Sequence, residues 1–219
     1  MGIKDYIQNN PYRVMGVTTN DSLAVVSSHH SRMKAYSAIG KTVSYPMDMD
    51  KVFGIGPKRN MENISSCMAS LSTPKGRLLN GMFWFMNITG TDAGALAALA
   101  QDGDPLSTRK IWEESPQNMS ALQNQLMCSL LKDPRSYSRA LQTASLLYSQ
   151  YGEEFISTVS NGLDVITPDK LIAMGTSGPM PISIIGVYLA RFIRAIRGAK
   201  HYSPLAVRCL VPLRGMRKQ

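Results

Sequence analysis

The sequence predicts an all-α protein, and three observations support that prediction. Apolar residues recur at three- and four-residue spacing over long stretches, as they do on the buried side of a helix. Capping signals flank those stretches: Asn20 or Asp21 precedes the first long one, and Gly40 follows it. Almost no segment before the C-terminal region alternates apolar and polar residues as a half-buried strand does.

The helices are predicted in chain order. A loop over residues 41–57 follows the first long helix, and a second helix begins near Lys58. Ser72 or Thr73 caps the next helix, with Pro74 in its first turn. That short helix carries an aromatic cluster, Phe83, Trp84 and Phe85, which we expect in the core. Further helices are predicted within residues 91–115, 119–133 and 136–162.

Positive charge is concentrated at the C-terminal end. The formal net charge is +9, yet residues 1–169 carry 15 basic and 15 acidic side chains, and residues 170–219 carry 9 basic and none acidic. An amphipathic stretch over 184–200 places Arg191, Arg194, Arg197 and Lys200 as candidates for contact with phosphate or a membrane surface. A helix packed by its apolar side, with its arginines in water, is the alternative.

Several classes of protein are excluded by composition. Three scattered cysteines, Cys67, Cys128 and Cys209, form no CxxC pair, which predicts neither a disulfide framework nor a zinc knuckle. The first ten residues are too polar for a signal peptide, and no apolar run reaches the roughly 18 residues of a spanning helix. We therefore expect a cytoplasmic protein.

The sequence also lacks the patterns of a catalytic or metal site. His29 and His30 are adjacent, so a helix points their rings to different faces rather than at one metal ion. No phosphate-binding glycine motif and no nucleophile with a partnering base stands out. We predict no catalytic residue, no metal, no cofactor and no enzymatic activity.

One short stretch suggests nucleic-acid binding. The turn from Gly54 to Lys58 reads Gly-Ile-Gly-Pro-Lys and resembles the hairpin of helix-hairpin-helix DNA-binding modules. The match ends at Asn60, where that family favours a small residue, and Asp48 and Asp50 precede the turn. A loop exit with Pro57 in the first turn of the following helix is the better interpretation, and nucleic-acid binding through this turn and the basic tail is the alternative function.

A second resemblance covers about residues 6–86. Residues 12–17 read Tyr-Arg-Val-Met-Gly-Val and are similar to the Tyr-Arg/Lys-Leu-Gly-Val motif that opens a J-domain. Residues 68–77 match, in order, the Ala, Leu, Pro and Arg of that family's third and fourth helices. J-domains stimulate the ATPase of the seventy-kilodalton heat-shock chaperones, so the resemblance implies such a chaperone as the partner.

The resemblance also implies the contact residues. The family's His-Pro-Asp loop is here Ser-Tyr-Pro-Met-Asp: Tyr45 replaces the histidine, Pro46 is present, and Asp48 stands one residue late. Ordinary ATPase stimulation is therefore not expected. Lys34 and Lys41 correspond to the basic second helix that meets an acidic partner in that family, and a solvated face is the alternative.

The remainder of the chain fits helical pairs. Residues 95–114 resemble a tetratricopeptide pair, with Gly103-Asp104 at the turn and Ile111-Trp112 beyond it, and a plain bundle is the alternative. We predict a degenerate J-domain-like unit over 1–88, a tetratricopeptide-like or bundle region over 89–165, and a basic linker and tail over 166–219. The predicted function is non-catalytic protein–protein interaction in a chaperone or assembly context.

Overall fold

The all-α prediction is confirmed. A computed structural model describes residues 3–132, 137–161 and 163, and every regular element in those ranges is helical. A 3-10 helix spans Pro46–Asp48. The α-helices are α1 (Ile3–Gln8), α2 (Pro11–Met15), α3 (Leu23–Ala38), α4 (Asp50–Phe53), α5 (Met61–Leu71), α6 (Pro74–Gly81), α7 (Gly90–Asp102), α8 (Pro105–Glu113), α9 (Met119–Lys132) and α10 (Tyr137–Ser160).

The start of α3 differs from the prediction by a residue or two. Ser22 caps this helix, and its hydroxyl accepts from the N–H of Val25 at 3.3 Å. Asp21 is not available for that role, because its carboxylate accepts from the N–H and hydroxyl of Thr18 at 2.6 and 2.8 Å. Asn20 instead bonds across to Asn87.

The segment between α3 and α5 is more ordered than the predicted loop. It contains the 3-10 helix and α4. The following helix begins at Met61 rather than near Lys58, because the Asn60 side chain accepts from the N–H of Asn63 at 2.8 Å and caps it there. Pro57 therefore lies outside the helix, which corrects the interpretation of Pro57 as a first-turn residue.

The cap and the first turn predicted for α6 are confirmed, but the helix ends at Gly81, before the aromatic cluster that it was expected to carry. Thr73 caps the helix through its hydroxyl, which accepts from the N–H of Gly76 at 3.0 Å, and Pro74 is the first helical residue. The aromatic residues that follow are buried. The indole N–H of Trp84 donates to the carbonyl of Val17 at 2.8 Å and so satisfies its polar group inside the core.

The first half of the described chain runs from α1 to α6, and the second half runs from α7 to α10. The two halves share one hydrophobic core. Packing of α4 on α7 and of α6 on α10 connects them. The fully buried Arg77 donates from Nε to the carbonyl of Val159 at 2.8 Å and from Nη2 to the carbonyl of Asp21 at 2.6 Å. This cation therefore lies at the C-terminal end of α10, where the helix dipole favours positive charge.

The second half consists of helices that pack in chain order, α7 on α8, α8 on α9 and α9 on α10. A Gly103-Asp104 turn joins α7 to α8, as the sequence indicates. Whether the pairs follow a tetratricopeptide or a bundle arrangement stays a prediction. The predicted basic linker and tail, residues 166–219, lie outside the described residues.

Candidate protein-docking site

Helix α3 leaves most of its surface to solvent. Of its 16 residues, only Val26 and Met33 are buried, at 0% and 3% exposure. They are seven residues apart and therefore lie on one side of the helix. The opposite side of α3 is exposed in the part of the chain that the structure describes.

The charged side chains on and just after α3 are all positive. No acidic residue occurs from residue 22 to residue 47, and Arg32, Lys34 and Lys41 are all exposed. None of the three lies within 4.0 Å of a carboxylate in the part of the chain that the structure describes. His30 adds no charge at neutral pH, because burial of its ring and the nearby Lys34 lower its pKa. Arg32 and Lys34 are two residues apart, so they lie on opposite flanks of α3. We call Arg32, Lys34 and Lys41 the basic residues.

The C-terminal end of α3 forms a tight capping turn. The carbonyl of Tyr36 accepts from the N–H groups of Ile39 and Lys41, at 3.1 and 2.9 Å, and the N–H of Gly40 donates to the carbonyl of Ser37 at 3.1 Å. Gly40 has φ of 69°, which glycine adopts without strain. Ile39 and Tyr36 remain 65% and 37% exposed, and we call them the apolar pair.

Tyr45 is buried rather than exposed, which contradicts its assignment to a docking loop. Its ring stacks on His29 with centroids 4.1 Å apart. The ring also lies over Gly16, where a Cβ would come within 2.5 Å of Tyr45 Cγ. Burial raises the pKa of Tyr45. No described residue pairs with its hydroxyl, which is inaccessible to solvent.

Asp48 is also buried, at 3% exposure, and its partner is internal. Its carboxylate forms a two-contact ion pair with Arg59, one contact being 2.7 Å long, and accepts from the N–H of Tyr45 at 3.0 Å. Arg59 also donates to the carbonyls of Val14 and Val43, each at 2.8 Å. The structure therefore corrects the assignment of Asp48 to the docking loop, because this carboxylate holds the fold together.

Three of the five predicted contact residues remain accessible. Lys34, Lys41 and Pro46 are exposed, whereas Tyr45 and Asp48 are buried. The two lysines are among the basic residues, and Pro46 begins the 3-10 helix that follows α3. The structure thus shifts the candidate site away from the loop and onto α3 itself.

A second buried arginine stabilises the same segment. Arg13 donates to the carbonyls of Asp48 at 2.7 Å and Ile55 at 2.5 Å, and its guanidinium lies 4.2 Å from the centre of the Phe53 ring. Burial lowers the pKa of Arg13 to about 10, although the nearby carboxylates of Asp50 and Asp48 act in the opposite direction. The guanidinium therefore remains charged at neutral pH.

The sequence alone identifies neither arginine as a structural residue. Arg13 falls within the motif that resembles a J-domain, and Arg59 adjoins the turn that resembles a phosphate-binding hairpin. One available signal is that Asp48 lies between Met47 and Met49, since a carboxylate buried with apolar neighbours needs a cation or several hydrogen-bond donors.

The turn from Gly54 to Lys58 does not have the geometry of a phosphate-binding hairpin. The N–H of Gly54 donates to the carbonyl of Asp50 at 2.7 Å and ends α4. The Asp50 carboxylate lies beside Gly56, 3.6 Å from where a Cβ would stand, and would repel an anion there. The next helix begins too late for its N-terminus to face the turn. This half of the nucleic-acid alternative lacks support.

A second concave surface lies between α8, α9 and α10. It is an open groove of about 430 Å³. Glu113 lies at its edge, with its carboxylate 3.0 Å from Arg109 and 2.9 Å from Arg139. Gln117 and Gln125 also line the groove and bond to each other at 2.8 Å. Because its charges and amides are paired internally, the groove is a weaker candidate than α3.

Metal and membrane sites are not found in the ranges that the structure describes. No group of three or more His, Cys, Asp or Glu side chains there could hold a metal ion. None of the helices described is long and apolar enough to cross a bilayer. The predicted contacts Arg191, Arg194, Arg197 and Lys200 lie outside the described residues.

Comparison with known proteins adds no family. No family model, no curated protein and no solved structure matches the chain.

Proposed function

We propose that this chain is a non-catalytic interaction module that docks onto an acidic surface of a partner protein through α3. The observation that carries the proposal is the set of basic residues: three exposed cations on and just after a helix that buries only two of its residues, in a segment without any acid. A helix with one solvated side commonly mixes both signs of charge, because salt bridges along the helix stabilise it. Here only one sign is present.

The fold supplies a rigid base for such a contact. Tyr45 packs on His29 of α3, and Arg59 joins the segment after α3 to the start of α5. Because these contacts are already formed in the free chain, docking α3 requires little ordering of the backbone. The charges also act before contact, since unpaired cations raise the rate at which an acidic partner is encountered.

The resemblance to a J-domain supports a chaperone or assembly context for this docking. The partner would then be a seventy-kilodalton heat-shock chaperone. Asp48 is held internally by Arg59 and has little surface for an intermolecular contact. The proposed module therefore binds through α3 without stimulating the chaperone's ATPase in the ordinary way. It would position a chaperone rather than activate it.

The test is a binding titration of the full chain against that chaperone in purified form. We expect Lys34→Glu with Lys41→Glu to weaken binding by about tenfold or more, because two attractive contacts become repulsive. The matched control is Lys75→Glu with Lys110→Glu, which makes the same charge change at exposed lysines of α6 and α8. Equal affinity of the two double variants would contradict docking through α3, and so would a wild-type chain that does not bind.

A further inference from the structure

We propose that the apolar pair, Ile39 and Tyr36, is the anchor of the docking site and enters an apolar pocket bordered by carboxylates on the partner protein. This inference rests on the proposed function, because it gives the chemistry of the surface that α3 meets. The apolar pair would form the centre of the docking site, and the positive charges would lie around it.

The exposure of the apolar pair is not explained by helix capping. In a capping turn of this kind, an apolar residue just after the glycine commonly packs back on the residue at the position of Tyr36. Here the residue after Gly40 is the exposed Lys41, so no apolar residue occupies that position. Ile39 is left 65% exposed. Covering a side chain of this size in an interface removes its apolar surface from water and favours binding.

The turn presents Ile39 in a fixed position. The three backbone hydrogen bonds of the capping turn hold the end of α3. At the tip, a Cβ added to Gly40 would meet no described atom within 4 Å, so the turn projects into open space. A rigid, projecting apolar residue loses little conformational freedom when a partner covers it.

The charges beside the apolar pair specify the rest of the partner surface. The Arg32 guanidinium lies 5.7 Å from the centre of the Tyr36 ring, and Lys41 follows Ile39 by two residues. Interfaces of this type place an apolar or aromatic residue in the middle and polar groups around it. The complementary surface is therefore an apolar pocket with carboxylates at its rim.

The test compares Ile39→Ser with Ile88→Ser, which makes the same change at an isoleucine that is 48% exposed and lies before α7. Affinity of the full chain for the purified chaperone is measured at about 50 and about 300 mM NaCl, where screening differs strongly. We expect Ile39→Ser to weaken binding by about tenfold at both salt concentrations, and Ile88→Ser and Ile39→Leu to bind like the wild type. Unchanged circular dichroism confirms that each variant is folded.

Each outcome decides a different point. If Ile39→Ser binds like Ile88→Ser while the Lys34→Glu, Lys41→Glu variant is weakened, the anchor is wrong and docking through α3 stands. If the wild type does not bind the chaperone, docking and anchor both fail. If the wild type binds vesicles of anionic lipid and Ile39→Ser abolishes that binding, the anchor belongs to a lipid surface, and the protein pocket is overturned.

Discussion

The two halves of the molecule each contain a buried carboxylate, and the two are stabilised in opposite ways. Asp48, in the first half, is paired with the buried Arg59. Asp92, in the second half, has no cation within 4.0 Å among the described residues and accepts only from neutral donors. Those donors are the indole of Trp112 at 2.8 Å, the hydroxyl of Ser120 at 2.7 Å, the amide of Asn124 at 3.1 Å and the N–H groups of Ile88 and Thr89 at 3.1 and 2.8 Å.

This difference affects the surface as well as the core. Because Asp48 is paired with Arg59, the acid nearest in sequence to the C-terminal end of α3 cannot neutralise the basic residues. Asp92 needs no cation, since hydrogen bonds stabilise its charged form. The first half thus depends on a matched pair of charges, whereas the second depends on a set of positioned donors. Each dependence can be tested by substitution.

The largest effect is expected from Arg59→Met. This change leaves the Asp48 carboxylate buried without its ion-pair partner, which typically costs about 3–5 kcal/mol of unfolding free energy. Urea denaturation followed by circular dichroism measures the loss. The double variant Arg59→Met with Asp48→Leu is the control, and it should recover much of the stability because no charge is then left unpaired. A cost below about 1 kcal/mol for the single variant would show that the pair is not essential.

A smaller loss of unfolding free energy is expected from Asp92→Asn, about 2 kcal/mol at neutral pH, because the amide places an N–H₂ group against donors.

The pH dependence of the unfolding free energy tests the charge of Asp92 more specifically. Burial acts to raise the pKa of Asp92, but the hydrogen bonds from Ser120, Thr89 and Trp112 outweigh burial and lower it. The carboxylate therefore stabilises the fold above about pH 4, and that contribution disappears as pH falls through the folded-state pKa.

The acid dependence gives the control for Asp92→Asn. Wild type should lose more stability than this variant when the pH is lowered from about 7 to about 3, because only the wild type protonates this group. Thermal unfolding at a series of pH values measures the difference. Parallel curves for the two proteins would contradict the lowered pKa.

The smallest effect is expected from Tyr45→Phe. No described residue pairs with the buried hydroxyl of Tyr45, so its removal should leave stability unchanged or raise it by up to about 1 kcal/mol. The stacking on His29 is kept. If thermal unfolding shows a loss of more than about 1 kcal/mol, the hydroxyl has a hydrogen-bond partner and contributes to holding this segment in place.

Local signals predicted most of the helices. Gly40, Thr73 and Pro74 terminate or begin helices as their chemistry requires. The predicted starts of α3 and α5 are wrong by a few residues, because side-chain hydrogen bonds that the sequence pattern does not show decide where each helix begins. Asp21 bonds to Thr18 and so cannot cap α3, and the side chain of Asn60, rather than the Gly-Pro turn, sets the start of α5.

The sequence predicts the exposed lysines of the candidate site but not the burial of Tyr45 and Asp48. Charge and exposure of Lys34 and Lys41 follow from their position in an acid-free segment on and just after a helix. The burial of Tyr45 and Asp48 could not be predicted from their neighbours, because it depends on His29 and Arg59, which lie 16 residues before Tyr45 and 11 residues after Asp48. Their pairing is a property of the folded chain.

Docking of α3 through the basic residues is tested most directly by the association rate. The rate constant of the full chain with the purified seventy-kilodalton chaperone is measured over a series of salt concentrations. We expect the wild-type rate to fall as salt increases, and the Lys34→Glu, Lys41→Glu variant to associate more slowly, with little salt dependence. Equal rates and equal salt dependence for the two proteins would contradict docking through these charges.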